Sequence, residues 1–312
     1  MATFSVIVPV HNGEKTLRRC VESLVPQVSH ILLIENGSKD GSRQLCHALA
    51  EDFSNVTALD GDTVGGVSKA RNLGLRHVDT PYILFCDCDD YVEPDYAEYF
   101  QKALESADFA ICGYINHDEV ANGRTDIYGF AEEKTVELLP QLEQIHSQCL
   151  LQQLWNKVFS RDVIEKANIC FDESISIGED MRFVLDYLAA ARPPKTALLA
   201  KPLYHYMRDQ PGSLMYRMGT EKIEEAIRNL ETMYRLMGLP EVIIEEKLAQ
   251  EREHQKGLYA YLIMHNMGMP MLQRRKLILQ LDKKEGQLLW RKNLLLFCKG
   301  KIARMLKRGN SR

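Results

Sequence analysis

At 312 residues the chain is long enough for one large domain, or for a domain with a sizeable appendage. Its 45% hydrophobic and 26% charged content is that of a water-soluble globular protein, and a formal net charge of −4 argues against nucleic acid as a partner. Eight cysteines without a C-x-x-C pair fit neither a zinc site nor a disulfide framework, which predicts reduced, mostly buried thiols in a cytoplasmic protein.

The N-terminal segment MATFSVIVPV lacks a basic stretch and passes straight into an apolar run at residues 4–8, which predicts a strand and no signal peptide. Residues 14–24 place Leu17, Cys20, Val21 and Leu24 on one helical face. A buried run at 31–34 ends in the turn Asn36-Gly37-Ser38, and a helix follows through Leu45 and Leu49. Residues 56–59 give a third strand, 69–77 a helix and 82–86 a fourth strand. A helix opened by Pro94 covers 94–106, and a fifth strand covers 109–114. This alternation predicts βαβ units: an α/β fold with a mainly parallel central sheet and helices on both faces. Residues 116–126 then read as a polar loop or hairpin, 135–151 as a helix, 154–160 as a strand and 180–190 as a helix. Beyond Tyr216 the pattern is almost wholly helical to about Lys307, with a boundary expected at 215–220. No apolar run approaches the roughly 18 residues of a membrane-spanning helix.

Ligands of parallel α/β sheets bind beyond the carboxyl ends of the strands. Three polar clusters follow directly on apolar runs: Pro9-Val10-His11-Asn12, Glu35-Asn36-Gly37-Ser38 and Asp87-Cys88-Asp89-Asp90. A parallel sheet brings all three to one rim. Asp87, Asp89 and Asp90 repel one another. Taken alone they read equally as a turn or as the seat of a hard divalent cation, Mg²⁺ or Mn²⁺, that also binds a diphosphate. Gly178-Glu179-Asp180 opens a helix, where acids cap backbone donors and a positioned carboxylate can also serve as a general base. Gly65-Gly66-Val67-Ser68-Lys69-Ala70-Arg71-Asn72 is a glycine loop feeding a helix. That geometry suits phosphate, although it matches neither G-x-G-x-x-G nor a Walker A loop.

Seven blocks in order make a more specific pattern: FSVIVPVHNGEKTLRRCVESL, ILLIENGSKDGS, GGVSKARNLGL, PYILFCDCDDYVEPD, LWNKVFSRDVI, FDESISIGEDMRFVLDYL and KPLYHYMRDQPGSL. Over residues 4–214 the chain resembles glycosyltransferase family 2, inverting enzymes of the GT-A (Rossmann-like) fold that use nucleotide-diphosphate sugars. The resemblance implies a catalytic domain at 1–215, with a nucleotide-sugar half at about 1–115 and an acceptor half at about 116–215. A helical region at 216–312 would follow. It implies donor contacts at Pro9, Val10, His11, Asn12, Glu35, Gly37, Ser38, Arg71, Asp87, Cys88, Asp90 and Arg208. Within that set Glu35 would meet a uracil N–H, His11 would pack beside the base, Arg71 would face base or ribose, and Cys88 would act as spacing. The family more often has Tyr in place of His11 and Asp-Asp in place of Glu35-Asn36. Asp89 would hold a divalent cation, Mn²⁺ or Mg²⁺, with Asp87 and His205. Asp180 would be the catalytic base with Glu179 beside it, and Trp155 and Asn156 would lie by the acceptor, a glycan or lipid-linked glycan.

Two other readings share parts of this pattern. A sugar-phosphate nucleotidyltransferase also has an acidic α/β site, but it would carry a Gly-rich basic loop where this chain has PVHNGEKT. A non-catalytic sugar-nucleotide-binding protein would keep the pocket without turnover. At the C-terminus, Leu294, Leu295, Cys298, Ile302, Met305 and Leu306 share one helical side, with Lys299, Lys301, Arg304, Lys307 and Arg308 largely elsewhere. That arrangement fits either a packed terminal helix or one lying on an anionic membrane surface. The Met-rich stretch 264–271 is open to three readings: core packing, a homo-oligomer contact or part of the acceptor groove.

Overall fold

The computed structural model describes residues 3–61, 66–118, 123–175, 177–191, 194–207, 220–265, 270–281 and 287–294. The chain divides into two compact units: Met1–Ser213 with Thr232–Gly238, and Leu214–Glu231 with Leu239–Arg312.

The first unit is built on one sheet. At its heart is β1 (Phe4–Val10), buried at every residue. A strand with no polar alternation must be covered on both faces. Parallel neighbours flank it, β2 (His30–Glu35) on one side and β4 (Tyr82–Phe85) on the other. β3 (Val56–Asp60) extends β2, again in parallel. The connections are α1 (Leu17–Leu24), α2 (Ser42–Asp52) and α3 (Val67–Leu75). α1 buries Leu17, Cys20, Val21 and Leu24, the stripe legible in its sequence. α3 lies tightly on β1: a Cβ on Gly74 would come within 2.5 Å of Ile7 Cγ2. Glycine allows that approach, and the same helix carries Arg71.

Beyond β4 the sheet becomes mixed. It is completed by β5 (Tyr91–Val92), β6 (Phe109–Asp118), β7 (Arg124–Tyr128), β8 (Lys134–Glu137), β9 (Lys157–Ser160) and β10 (Lys195–Met207). The order is β3-β2-β1-β4-β9-β6-β10-β5, with β7 on β6 and β8 on β10. β9 is antiparallel to β4 and β6, whereas β10 runs parallel to β6. Further helices of this unit are α4 (Tyr96–Ala103), α5 (Leu142–Ser147), α6 (Arg161–Ala167) and α7 (Glu179–Ala191).

Three segments differ from expectation. Residues 135–151 do not form one helix. They give the end of β8, a 3-10 turn at Leu139–Gln141 and the short α5. Pro140 cannot continue a helical ladder, and the β-branched pair Thr135 and Val136 joins the start of β10. The polar stretch 116–126 extends β6 and starts β7 as a hairpin. β10 was not legible, because Lys201-Pro202 interrupts its pattern. The structure absorbs this pair with register shifts between Leu199, Pro202 and Tyr204.

An aromatic core lies beneath the end of β4. Phe85 meets Phe159, Phe171 and Phe183 edge-on at 5.7–5.8 Å, and Phe171 stacks on Phe183 at 4.2 Å. Phe85 precedes Asp87 by two residues, and Phe171 opens the loop to Glu179, so this cluster seats both acidic segments. Among the described residues the cysteines are free; Cys20, Cys46, Cys86, Cys88 and Cys112 are buried, while Cys149 and Cys170 are exposed.

The C-terminal region is helical: α8 (Thr220–Leu236), α9 (Glu241–His265), α10 (Met271–Leu281) and a further helical stretch at 287–294. Among the described residues no helix is long and apolar enough to cross a membrane. Most of the boundary expected at 215–220, residues 266–269 of the Met-rich stretch, and the basic tail from 295 onward lie outside the described residues.

Candidate active site

The three polar clusters meet at one rim. β1, β2 and β3 end in register, with Val10 beside Glu35 and Glu35 beside Asp60. Cys86 N–H still donates to Ile7 O at 3.1 Å, so the chain leaves the sheet at Asp87 on that side.

Arg71 is the hub. Its side chain is only 4% exposed, and its guanidinium reaches three carboxylates from two distant segments. Nη1 donates to Glu179 Oε1 at 3.3 Å and to Asp180 Oδ1 at 2.5 Å, while Nη2 donates to Asp87 Oδ1 at 3.4 Å. Asn72, next in sequence, fixes the loop that leads to them. Its side chain donates to Phe171 O at 2.9 Å and accepts from Phe171 N–H at 2.8 Å. Neighbouring helical residues thus clamp the loop 171–180 to the rim. The sequence reading quoted Asn72 within its block without giving it a role; its place beside Arg71 was the available signal.

The electrostatics follow from that burial. Burial works against the Arg71 charge, but Asp180, Asp87 and Glu179 outweigh it and raise its pKa. Burial lifts the Asp180 carboxyl to about 7, against the pull of Arg71 and with a push from Glu179. Asp87 is also raised by burial, with Arg71 opposing and Asp180 adding. Asp180 keeps 26% of its side chain exposed and Asp87 keeps 32%, so both remain open to a ligand.

The expected donor residues form a hydrogen-bonded loop pair. Pro9 and Val10 are buried in β1 and serve as its frame. His11 is exposed; its Nδ1–H donates to Asn36 O and its Nε2 accepts from Asn12 Nδ2, both at 3.0 Å. Asn12 has φ 55°, a conformation asparagine tolerates, and its N–H donates to Ser38 Oγ at 3.0 Å. Gly37 has φ 72° at the turn, and buried Glu35 closes it by accepting the Ser38 N–H at 2.6 Å. One Glu35 oxygen is therefore committed to the loop. Beside these strand ends lies a cavity of about 320 Å³ lined by Asn36, Asp60, Lys69, Arg76 and Glu173 among others. Asp60 was not anticipated; it ends β3 as Glu35 ends β2.

The acidic turn separates its three aspartates by burial. Asp89 is exposed, and its backbone O accepts from Arg19 Nη2 at 2.6 Å. Asp90 is fully buried, which corrects the expectation that it faces the donor. It accepts from Tyr204 OH at 2.6 Å and from Met207 N–H at 2.7 Å, and burial holds its pKa well above the carboxylate range. Tyr204 OH also accepts the Asp87 N–H at 3.1 Å. Asp90 and Tyr204 thus tie β10 to the acidic turn. Cys88 is buried with its Sγ 2.9 Å from where a Cβ on Gly13 would stand, consistent with spacing.

His205 is the second correction. Nε2–H donates to Glu93 Oε1 at 2.7 Å, Nδ1 accepts from His117 at 2.9 Å, and Tyr91 stacks on the ring at 4.1 Å. With both nitrogens engaged by protein, His205 does not present a ligand to a cation. Among the described residues no three His, Cys, Asp or Glu side chains converge on one point. The exposed Asp89 and half-buried Asp87 carboxylates do fit the sites in which Mg²⁺ takes one or two carboxylates and substrate phosphates. Arg208 lies outside the described residues, as does Gly65 of the glycine loop.

Trp155 and Asn156 are the third correction, since neither faces an acceptor. Trp155 is buried between Tyr204, stacked at 4.1 Å, and Tyr114, edge-on at 4.8 Å. Asn156 is fully buried and donates to Cys112 O at 3.2 Å and Leu150 O at 3.1 Å. Lys157, also fully buried, donates to Leu150 O, Gln153 O and Asn156 Oδ1 at 2.6–2.8 Å, and burial pulls its pKa down to about 7. Lys157→Met leaves these three acceptors without a donor and is expected to cost roughly 3 kcal/mol or more. A urea midpoint equal to that of the native protein would refute this bracing role.

The family model described as glycosyl transferase family 2 matches residues 5–166, more than half of the chain. The chain belongs to glycosyl transferase family 2. The chain is 31% identical over 222 residues to EpsJ of Bacillus subtilis, an uncharacterized glycosyltransferase, covering 67% of this chain and 62% of EpsJ. It is 28% identical over 223 residues to the minor teichoic acid biosynthesis protein GgaB of the same organism, covering 67% of this chain and 23% of GgaB. It therefore spans less than two thirds of either relative. The crystal structure of Staphylococcus aureus TarS 1-349 in complex with UDP-GlcNAc superposes with a TM-score of 0.64 at 21% identity, covering 95% of this chain and 80% of that one. The fold is therefore the GT-A type expected, with a helical C-terminal region.

Proposed function

We propose that this family member is an inverting glycosyltransferase that moves a sugar from a nucleotide-diphosphate donor to a hydroxyl of a glycan or lipid-linked acceptor. The carrying observation is the Arg71 hub, which gathers Asp87, Glu179 and Asp180 at the rim where the donor loops end. A uridine donor is favoured by the UDP-GlcNAc complex of TarS, and a role in cell-surface polysaccharide synthesis by the teichoic acid relative. In this reading residues 1–115 hold the donor, with its base near Glu35 and the Asp60-lined cavity. Residues 116–215 supply the acceptor side, and residues 216–312 form a helical appendage. The protein acts in the cytoplasm, with its basic tail beyond residue 290 on the membrane.

Asp180 takes the proton from the acceptor hydroxyl as that oxygen attacks the anomeric carbon opposite the leaving diphosphate. One displacement inverts the centre. Glu179 and Arg71 hold Asp180 in place, and a carboxylate with its pKa near neutrality is a competent base at physiological pH. Asp89, with Asp87, would hold Mn²⁺ or Mg²⁺; when bound, such an ion neutralises charge on the departing nucleotide diphosphate. Incubation with a panel of nucleotide sugars, reading nucleotide-diphosphate release, is expected to give turnover with a uridine donor. EDTA is expected to stop it and Mn²⁺ to restore it. Full activity in EDTA would sink the metal assignment. Turnover of sugar phosphate with nucleoside triphosphate, in place of transfer, would sink the reading itself.

A further inference from the structure

We infer that the outward face of α10 docks on an anionic phospholipid membrane. From residue 270 to 312 the sequence carries thirteen Lys and Arg against two acids, Asp282 and Glu285, although the whole chain has a net charge of −4. α10 itself, MLQRRKLILQL, has three cations and no acid.

The packing of α10 fixes which side looks outward. Arg274 is buried and its Nη1 donates to Met264 O at 2.7 Å, and Ile278 is fully buried. These two residues define the inner face. Leu272, Arg275, Lys276 and Leu279 stand at i, i+3, i+4 and i+7, which aligns them in one strip on another side of the helix. Leu272 is 79% exposed, Arg275 and Lys276 are exposed, and Leu279 is half-buried. The helical stretch 287–294 repeats the combination, with Leu288 65% exposed and Arg291 and Lys292 also exposed.

Exposed leucines among cations narrow the partner. A second copy of this face would bring the same positive charge and repel. Single-stranded nucleic acid is gripped through aromatic stacking, and α10 has no aromatic residue. An anionic bilayer suits both halves of the strip: the basic heads meet lipid phosphates, and the leucines enter the boundary with the acyl chains. This surface is distinct from the basic tail, and it does not depend on the transfer reaction.

Flotation of the full-length chain with phosphatidylcholine vesicles, and with vesicles also containing phosphatidylglycerol, tests it. The native chain is expected to float with the anionic vesicles only. Arg275→Glu with Lys276→Glu is expected to weaken partitioning by roughly 30-fold, at about one favourable charge contact per residue. Leu272→Gln is expected to weaken it as well. These positions are exposed, so far-UV circular dichroism and nucleotide-sugar turnover in solution should stay unchanged. Native protein that does not float with anionic vesicles overturns the inference. So does undiminished flotation of both variants, which would place binding in the tail, or retention on RNA without retention on vesicles.

Discussion

Asp180→Asn is expected to lower kcat by roughly 10²–10⁴-fold while leaving the donor KM nearly unchanged. The side chain keeps its shape and can still pack beside Arg71, but it can no longer accept a proton. In the native protein the rate should fall about tenfold for each pH unit below the Asp180 pKa of about 7, because only the ionised carboxyl is a base. The variant should lose that limb. Since Glu179 and Asp180 push on each other, the limb reports the pair.

Stability runs in the opposite direction. The folded-state pKa of Asp180 lies above its ordinary value of 3.8, so between these values the folded protein holds a proton that the unfolded chain has released. This contribution is present below the unfolded pKa and is lost as pH rises through about 7. The site therefore gains activity over the range in which it loses stability. Urea midpoints at pH 6 and pH 8 should differ less in Asp180→Asn than in the native protein. A variant with native kcat, or with the acidic limb intact, would remove Asp180 from the role of base.

The legible parts of this molecule are those encoded locally. β1, β2 and β4 announce themselves as short apolar runs, and α1 by its four-residue stripe. The acids of the site could be found because Asp87 ends an apolar run and Asp180 opens a helix. What escaped the sequence is decided by partners far along the chain. Asn156 and Trp155 sit in a block with polar and aromatic character, yet both are interior, because Cys112 and Tyr204 come from other strands to cover them. His205 looked like a ligand until Glu93, 112 residues away, took one nitrogen and His117 the other. Asp90 differs from Asp89 by one position, and β10, hidden by Lys201-Pro202, makes that position buried. A residue type shows what a side chain can bond; only the fold shows whether protein has already claimed that bond.

Arg71→Met is expected to do the greatest combined damage. The change keeps most of the volume but removes the only described cation bonded to Asp87, Glu179 and Asp180 together. Breaking a buried ion pair by removing one partner costs about 3–5 kcal/mol, because the remaining charges keep their desolvation without compensation. Arg71→Lys should recover little: Nη1 serves Glu179 and Asp180 while Nη2 serves Asp87, and one ammonium cannot reproduce that fork. The pH profile separates a catalytic consequence from simple loss of fold. Arg71 holds the Asp180 pKa down, so its removal should move the acidic limb above 7 in whatever fraction remains folded. The double variant Arg71→Met with Asp180→Asn should be less destabilised than the two single effects added together, since the second change removes a charge that the first left unpaired. Additive losses, or an acidic limb that stays at its native pH in Arg71→Met, would mean that Arg71 and Asp180 are not coupled, and the hub would lose its function.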